Sequence, residues 1–222
     1  MNLFKEIQQS LTFHNIMCIS IMFIMFSCSG DKKESQIIDI KKNTSKRNII
    51  YQDTPEKYFK TSDNYKIFKE SESLHIQGNY NEALKKLLEL EKSEKENELV
   101  LGSLGIVYMD LKRYELSENK LEKAIKINPD FINNLFNLAT LYERLKNYED
   151  ADMTMQKAEN LKKTEQEEFL YYMQRAFLNY KLNNCDKALK FCEKIINSNF
   201  DEYYITNAQG AYNEIKEKCV EK

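Results

Sequence analysis

A six-slot pattern recurs along this chain with a period of 34 residues, and it constrains the fold more than any other feature. The first copy is Ser71, Leu74, Tyr80, Ala83, Leu87 and Leu90. The second is Gly105, Tyr108, Tyr114, Ser117, Leu121 and Ala124, and the third is Ala139, Tyr142, Tyr148, Ala151, Met155 and Ala158. A fourth follows after 37 residues: Ala176, Asn179, Cys185, Ala188, Cys192 and Ile195. A unit of this length cannot bury its apolar face alone, so successive units must stack. Within the second copy, Leu101, Leu104, Tyr108 and Leu111 recur at steps of three and four, the spacing of one helix face. Lys112-Arg113-Tyr114 predicts a turn, and Leu116, Leu121, Ala124 and Ile127 predict a second helix. Asn128-Pro129-Asp130 then stops it, because proline cannot continue a helix and restricts the residue before it.

Small residues stand where paired helices must approach closely: Ser71, Gly105, Ala139 and Ala176 on first helices, Ala83, Ser117, Ala151 and Ala188 on second ones. Glycine inside a helix costs roughly 1 kcal/mol against alanine, so Gly105 implies a tight crossing. Thr164 and Glu167 fit a capping box, which makes the three-residue insertion before the fourth copy a longer loop. That copy carries Arg175 and Asn179 at slots that are apolar or aromatic elsewhere, as expected of a terminal repeat with one side in water. After it, Tyr204, Ile205, Ala208, Ala211, Tyr212 and Ile215 share one side of a final helix.

The period and its small–aromatic–aliphatic slots resemble the tetratricopeptide repeat. The resemblance runs from about residue 64 to 202, plus the following helix. It implies an all-α fold: a right-handed superhelical stack of about four helix pairs with a C-terminal capping helix. The expected repeats are 64–97, 98–131, 132–165 and 169–202, with the cap at 203–222, in a domain spanning 57–222.

The front of the chain has a different character. Ile16–Phe26 is a run of 11 mostly apolar residues, too short for the ~20 needed to span a bilayer and suited to the core of a secretory signal. It ends at Ser27-Cys28, where polar sequence takes over. A small residue before a cysteine at this place resembles the bacterial lipoprotein cleavage site. That resemblance implies a signal at 1–27 and a lipid on Cys28, and Ser29 after the cysteine points to the outer membrane, facing the periplasm. An uncleaved anchor or a plain secretory signal fits the same residues. Residues 28–56 read as a lipidated N-terminus and flexible tether, with apolar islands at Ile37-Ile38-Asp39-Ile40 and Ile49-Ile50-Tyr51. Pro55 suits the first position of a short helix.

A net charge of −2 with no basic block gives no argument for nucleic acid. Of the five cysteines, Cys185, Cys192 and Cys219 lie in the repeat region. Three thiols without a nearby histidine are a poor zinc site. Cys185 and Cys192 are two turns apart on one helix and cannot bridge. An antiparallel final helix returns Cys219 toward Cys185, so either these two form a disulfide or all three are buried thiols. His14 and His75 are the only histidines, and His75 reads as a surface or groove residue. There is no phosphate loop, nucleophile elbow or convergent catalytic set. The expectation is a protein that is not an enzyme, takes no cofactor, metal or small-molecule substrate, and binds another protein or peptide.

In the repeat family the inner face is lined by the first helix of each pair. The resemblance therefore assigns to that face Phe68, Glu72 and His75, then Gly102, Ile106 and Met109. Phe136, Thr140, Glu143 and Arg144 follow, then Met173, Phe177, Tyr180 and Lys181. Phe68, Gly102 and Phe136 occupy slots that carry charge in members that grip a C-terminal carboxylate, so a chaperone-tail reader is not expected. The apolar subset, with Arg144, forms the expected partner groove; the other reading places these residues in the core or under the chain's own tether. Together these features describe a membrane-anchored adaptor of the bacterial cell envelope. The alternative is a structural subunit of an envelope assembly or secretion complex with a permanent oligomer interface.

Overall fold

The computed structural model describes residues 58–220. The lipid candidate Cys28, the signal at 1–27, the tether and the helix start at Pro55 lie outside the described residues. Among the described residues there are nine helices and no strand. They are α1 (Ser62–Ile76), α2 (Tyr80–Ser93), α3 (Glu98–Asp110), α4 (Tyr114–Ile127), α5 (Ile132–Arg144), α6 (Tyr148–Lys157), α7 (Glu165–Lys181), α8 (Cys185–Ile196) and α9 (Glu202–Val220). The all-α expectation of four successive helix pairs and a final helix holds over this range. The described residues divide into two compact units, 58–107 and 108–220, and the division falls inside α3.

One turn is repeated four times. Gly78, Lys112, Lys146 and Asn183 all have positive φ, at 81°, 59°, 61° and 60°. They occupy one slot of the repeat, between the first and second helix of each copy. In each copy the next residue donates its amide back across the turn: Asn79 to Leu74 O at 2.9 Å, Arg113 to Tyr108 O at 2.8 Å, Asn147 to Tyr142 O at 2.8 Å and Asn184 to Asn179 O at 2.7 Å. This is the Schellman closure, in which a left-handed residue lets the chain satisfy carbonyls that the helix end leaves open.

In the first unit, Thr61 caps α1 by accepting the Asn64 amide at 3.1 Å. The α2 face packs Ala83, Leu84, Leu87 and Leu90, all buried. Asn97 caps α3, its Oδ1 accepting from the amides of Leu99 at 3.0 Å and Val100 at 3.3 Å. Its Nδ2 donates to Tyr58 O, and buried Glu94 accepts from the Lys60 amide and from Asn64 Nδ2, each at 2.7 Å. These bonds fix the entry of the chain, and Phe59 is buried beside Phe68, ring centroids 5.0 Å apart.

In the second unit, Met109, Leu121, Leu138 and Leu141 form one core cluster, with Tyr114, Ile125 and Tyr142 packed against it. Phe169, Ile195 and Ala208 form another, which ties α9 to α7 and α8. The insertion before the fourth copy shortens α6 to 10 residues, against 14 for α4. α7 then starts from a complete capping box, with Thr164 accepting the Glu167 amide at 3.1 Å and Glu167 Oε2 accepting the Thr164 amide at 3.0 Å. On α9, Ala208, Ala211 and Ile215 are buried; Tyr204, Ile205 and Tyr212 are half-buried. Cys219, near its end, is bonded to Cys185 at the start of α8, with Cα atoms 6.2 Å apart. Cys192 is a buried free thiol.

Candidate partner-binding surfaces

The first unit carries three of the inner-face slots on α1. Phe68 is 2% exposed and has Phe59 against it. Glu72 is buried, and its Oε2 accepts from Lys69 Nζ at 2.5 Å. Burial raises the Glu72 carboxyl above its ordinary pKa, with the Lys69 and His75 charges opposing the shift. His75 is buried too, its ring 5.2 Å from that of Tyr80. Of the surface and groove readings of His75, burial removes the first: the residue stands on the α1 face that turns toward the start of α2. On α3, Gly102 is buried and Ile106 half-buried.

The second unit divides its slots differently. Met109 and Phe136 are essentially closed to solvent, at 1% and 2% exposure, and Phe177 is also buried. Of the two readings, groove and core, the burial of Phe68, Met109, Phe136 and Phe177 fits the core one. Met173 and Tyr180 are half-buried and Arg144 is exposed. Arg144 Nη1 lies 2.8 Å from Asp110 Oδ1. Lys181 Nζ stands over the Phe177 ring at 5.1 Å and the Tyr180 ring at 5.6 Å, close enough for a cation–π attraction.

Between α5 and α7 lies a polar ladder. Gln174 Nε2 donates to Thr140 Oγ1 at 3.3 Å and to Glu143 Oε1 at 2.8 Å. Burial pushes the Glu143 carboxyl up to about 7, against the Gln174 hydrogen bond and the Arg144 and Lys181 charges. The accessible edge here carries half-buried Met173, Lys181 over the Phe177 and Tyr180 rings, and Arg144, whose charge is paired with Asp110. Glu143 changes charge near neutral pH.

Arg175 and Asn179 do not form the solvated end of a terminal repeat. Arg175 Nε is 2.7 Å from Asp152 Oδ1. Its Nη1 donates to the Tyr171 hydroxyl at 3.1 Å, and its guanidinium lies over the Phe191 ring at 4.8 Å. Asn179 Nδ2 donates to Asp152 Oδ1 at 3.3 Å and to Arg175 O at 2.9 Å. Arg175 and Asn179 are both buried, which corrects the expectation that they face water. The repeat pattern does not single out Asp152. A signal for it is nonetheless present: charged residues at apolar slots need a buried partner, because an unpaired charge is costly to bury.

Cys185 and Cys219 meet in a disulfide, while burial pushes the Cys192 thiol up to about 12. Among the described residues no group of His, Cys, Asp and Glu is placed to hold a metal ion. No described helix is long and apolar enough to cross a membrane.

The tetratricopeptide-repeat family matches the chain twice, over residues 100–131 and 120–153. Among solved structures, the chain is similar to a thermophilic tetratricopeptide-repeat protein of Thermus thermophilus, with 18% identity, 68% of this chain and 81% of that one covered, and a TM-score of 0.59. A tetratricopeptide repeat protein from Parabacteroides merdae is similar at 18% identity, covering 71% of this chain and 62% of that one, with a TM-score of 0.57. MamA of Desulfovibrio magneticus, from residue 41 to its end, is similar at 16% identity over 70% of this chain and 94% of that one, with a TM-score of 0.53. At these identities the likeness is one of fold. No curated protein matches the chain. Four repeating helix pairs, one left-handed turn slot common to all of them, and the two family matches show that this chain carries tetratricopeptide repeats.

Proposed function

We propose that this scaffold works outside the cytoplasm of a bacterial cell, anchored to an envelope membrane by a lipid on Cys28, and holds a partner protein there. The observation that carries the reading is the Cys185–Cys219 disulfide. Structural disulfides persist in exported proteins and are rare in a reducing cytosol. The apolar run ending at Ser27-Cys28 agrees with export and supplies the anchor.

The accessible inner edge of the second unit narrows the partner. Lys181 brings positive charge next to the Tyr180 ring, and Arg144 adds a cation that an incoming carboxylate would share with Asp110. A peptide segment with an acidic residue beside an apolar one is the complement of that surface, because burying the apolar side chain provides affinity and the charges set register. A photoreactive group placed at Tyr180 or Met173 of the full chain should capture one protein from native membranes, and Arg144→Glu with Lys181→Glu should abolish that capture. Metabolic labelling with a fatty acid should mark the parent and leave Cys28→Ala unmarked. Equal labelling would remove the anchor from the reading, and capture that survives the charge reversals would remove the inner edge.

A further inference from the structure

We propose that two copies of this chain dock through the outer groove between α4 and α6, with Met153 of each copy seated in the groove of the other. The groove holds about 380 Å³. Half-buried Ile125 of α4 and Tyr142 of α5 line its sides, buried Leu135 and Leu138 of α5 and Thr154 of α6 its floor, and Glu122 and Lys126 of α4 add one charge of each sign. Met153 stands on its edge and is 54% exposed. An unbranched, polarisable side chain of this kind fills an irregular apolar recess well.

The order of charges on α6 selects the occupant. Asp150, Met153 and Lys157 form one stripe, since steps of three and four return to the same helix face. All three line the groove. In an isologous contact, residue i of one copy meets j of the other, and j meets i. Set two α6 helices antiparallel, with the two-fold axis passing between Met153 and Thr154. Asp150 of each copy then faces Lys157 of the other, so one stripe supplies both halves of two ion pairs. Met153 falls opposite Thr154 and the apolar recess. Asp150 accepts from Asn147 through Oδ2, which leaves Oδ1 for a cation. The inference depends neither on the lipid anchor nor on the inner edge.

The test is sedimentation of the full chain in detergent over roughly 1–100 µM, the range of a micromolar contact, with helicity checked by circular dichroism. The parent should form dimers. Asp150→Lys or Lys157→Asp alone should weaken the dimer by about tenfold or more, and the Asp150→Lys, Lys157→Asp double variant should recover it. Met153→Arg should leave monomers. Asp150 also braces the start of α6, so if Asp150→Lys fails to fold, the decision rests on Lys157→Asp and Met153→Arg, which must both weaken the dimer. A parent that is monomeric throughout overturns the proposal. So do a dimer indifferent to the single changes, and a double variant that folds without recovering.

Discussion

Arg175 and Asp152 form an ion pair of 2.7 Å, with side chains 11% and 15% exposed, linking α7 to α6 inside the second unit. Neither residue stands alone: the guanidinium also bonds Tyr171 and lies over Phe191, and the same carboxylate oxygen accepts from Asn179. Removing one member of such a pair leaves the other charge buried without compensation. Fully buried pairs lose about 3–5 kcal/mol in this way. With some solvent access here, Asp152→Ala or Arg175→Ala should cost roughly 2–3 kcal/mol in urea unfolding. Replacing both with leucine should cost less than either single change, as a double-mutant cycle will read.

The left-handed turn slot makes a prediction of opposite sign at two positions. Lys146 holds φ 61° and Gly78 holds φ 81°. A side chain in that region costs roughly 1–2 kcal/mol, partly offset because glycine loses more backbone entropy on folding. Lys146→Gly should therefore stabilise by about 0.5–1 kcal/mol. Nothing lies within 4 Å of a Cβ built at Gly78, so Gly78→Ala should destabilise by about 1 kcal/mol through its backbone alone. Thermal melts of both variants measure this.

The disulfide closes a separation of 34 residues. Chain-entropy arguments put the stabilisation from a loop of that size at about 3–4 kcal/mol. Cys219→Ala, or reduction of the parent, should lower stability by about that amount. The loss should concentrate in α8 and α9, where hydrogen exchange should quicken while α5 stays protected.

Glu143 gives a pH dependence with a defined sign. Its carboxyl is raised to about 7 in the folded chain, from an ordinary value of 4.5. Between those two values the folded state holds more protons than the unfolded one, so stability falls as pH rises from about 4.5 to 7 and levels off above. On the order of a few kcal/mol rides on this shift. Glu143→Gln should flatten that part of the curve and stabilise the chain at about pH 8, above the raised value. Urea midpoints taken across this range test it.

Phe136 separates a binding role from a packing role. At 2% exposure it lies in the core, so Phe136→Ala should cost about 3–5 kcal/mol. A variant of unchanged stability would return this side chain to the partner surface.

Much of the fold is legible in the sequence because it is local and repeated. Steps of three and four mark each helix face, Pro129 ends α4, and Thr164 with Glu167 begins α7. The small residues at Ala83, Ser117, Ala151 and Ala188 are all fully buried, as close crossings require. These signals need no knowledge of what lies far along the chain. The turn slot is less visible, since Gly78 announces a positive φ while Lys112 and Lys146 do not. Their conformation follows from the helix end they complete rather than from their own preference.

What the sequence by itself determined is therefore the repeat, its helix pairs and the kind of protein they build. Tertiary structure decided which polar residues meet and which apolar ones remain accessible. Asp152 and Arg175 are 23 positions apart, and Thr140 and Gln174 are 34 apart; no local pattern states that either pair touches. Phe136 and Met173 occupy equivalent slots in neighbouring repeats, yet one is buried and the other half-buried. Helix propensity and periodicity are properties of a short window. Burial and charge pairing depend on which helices the stack brings together, and those contacts exist only once the chain has folded.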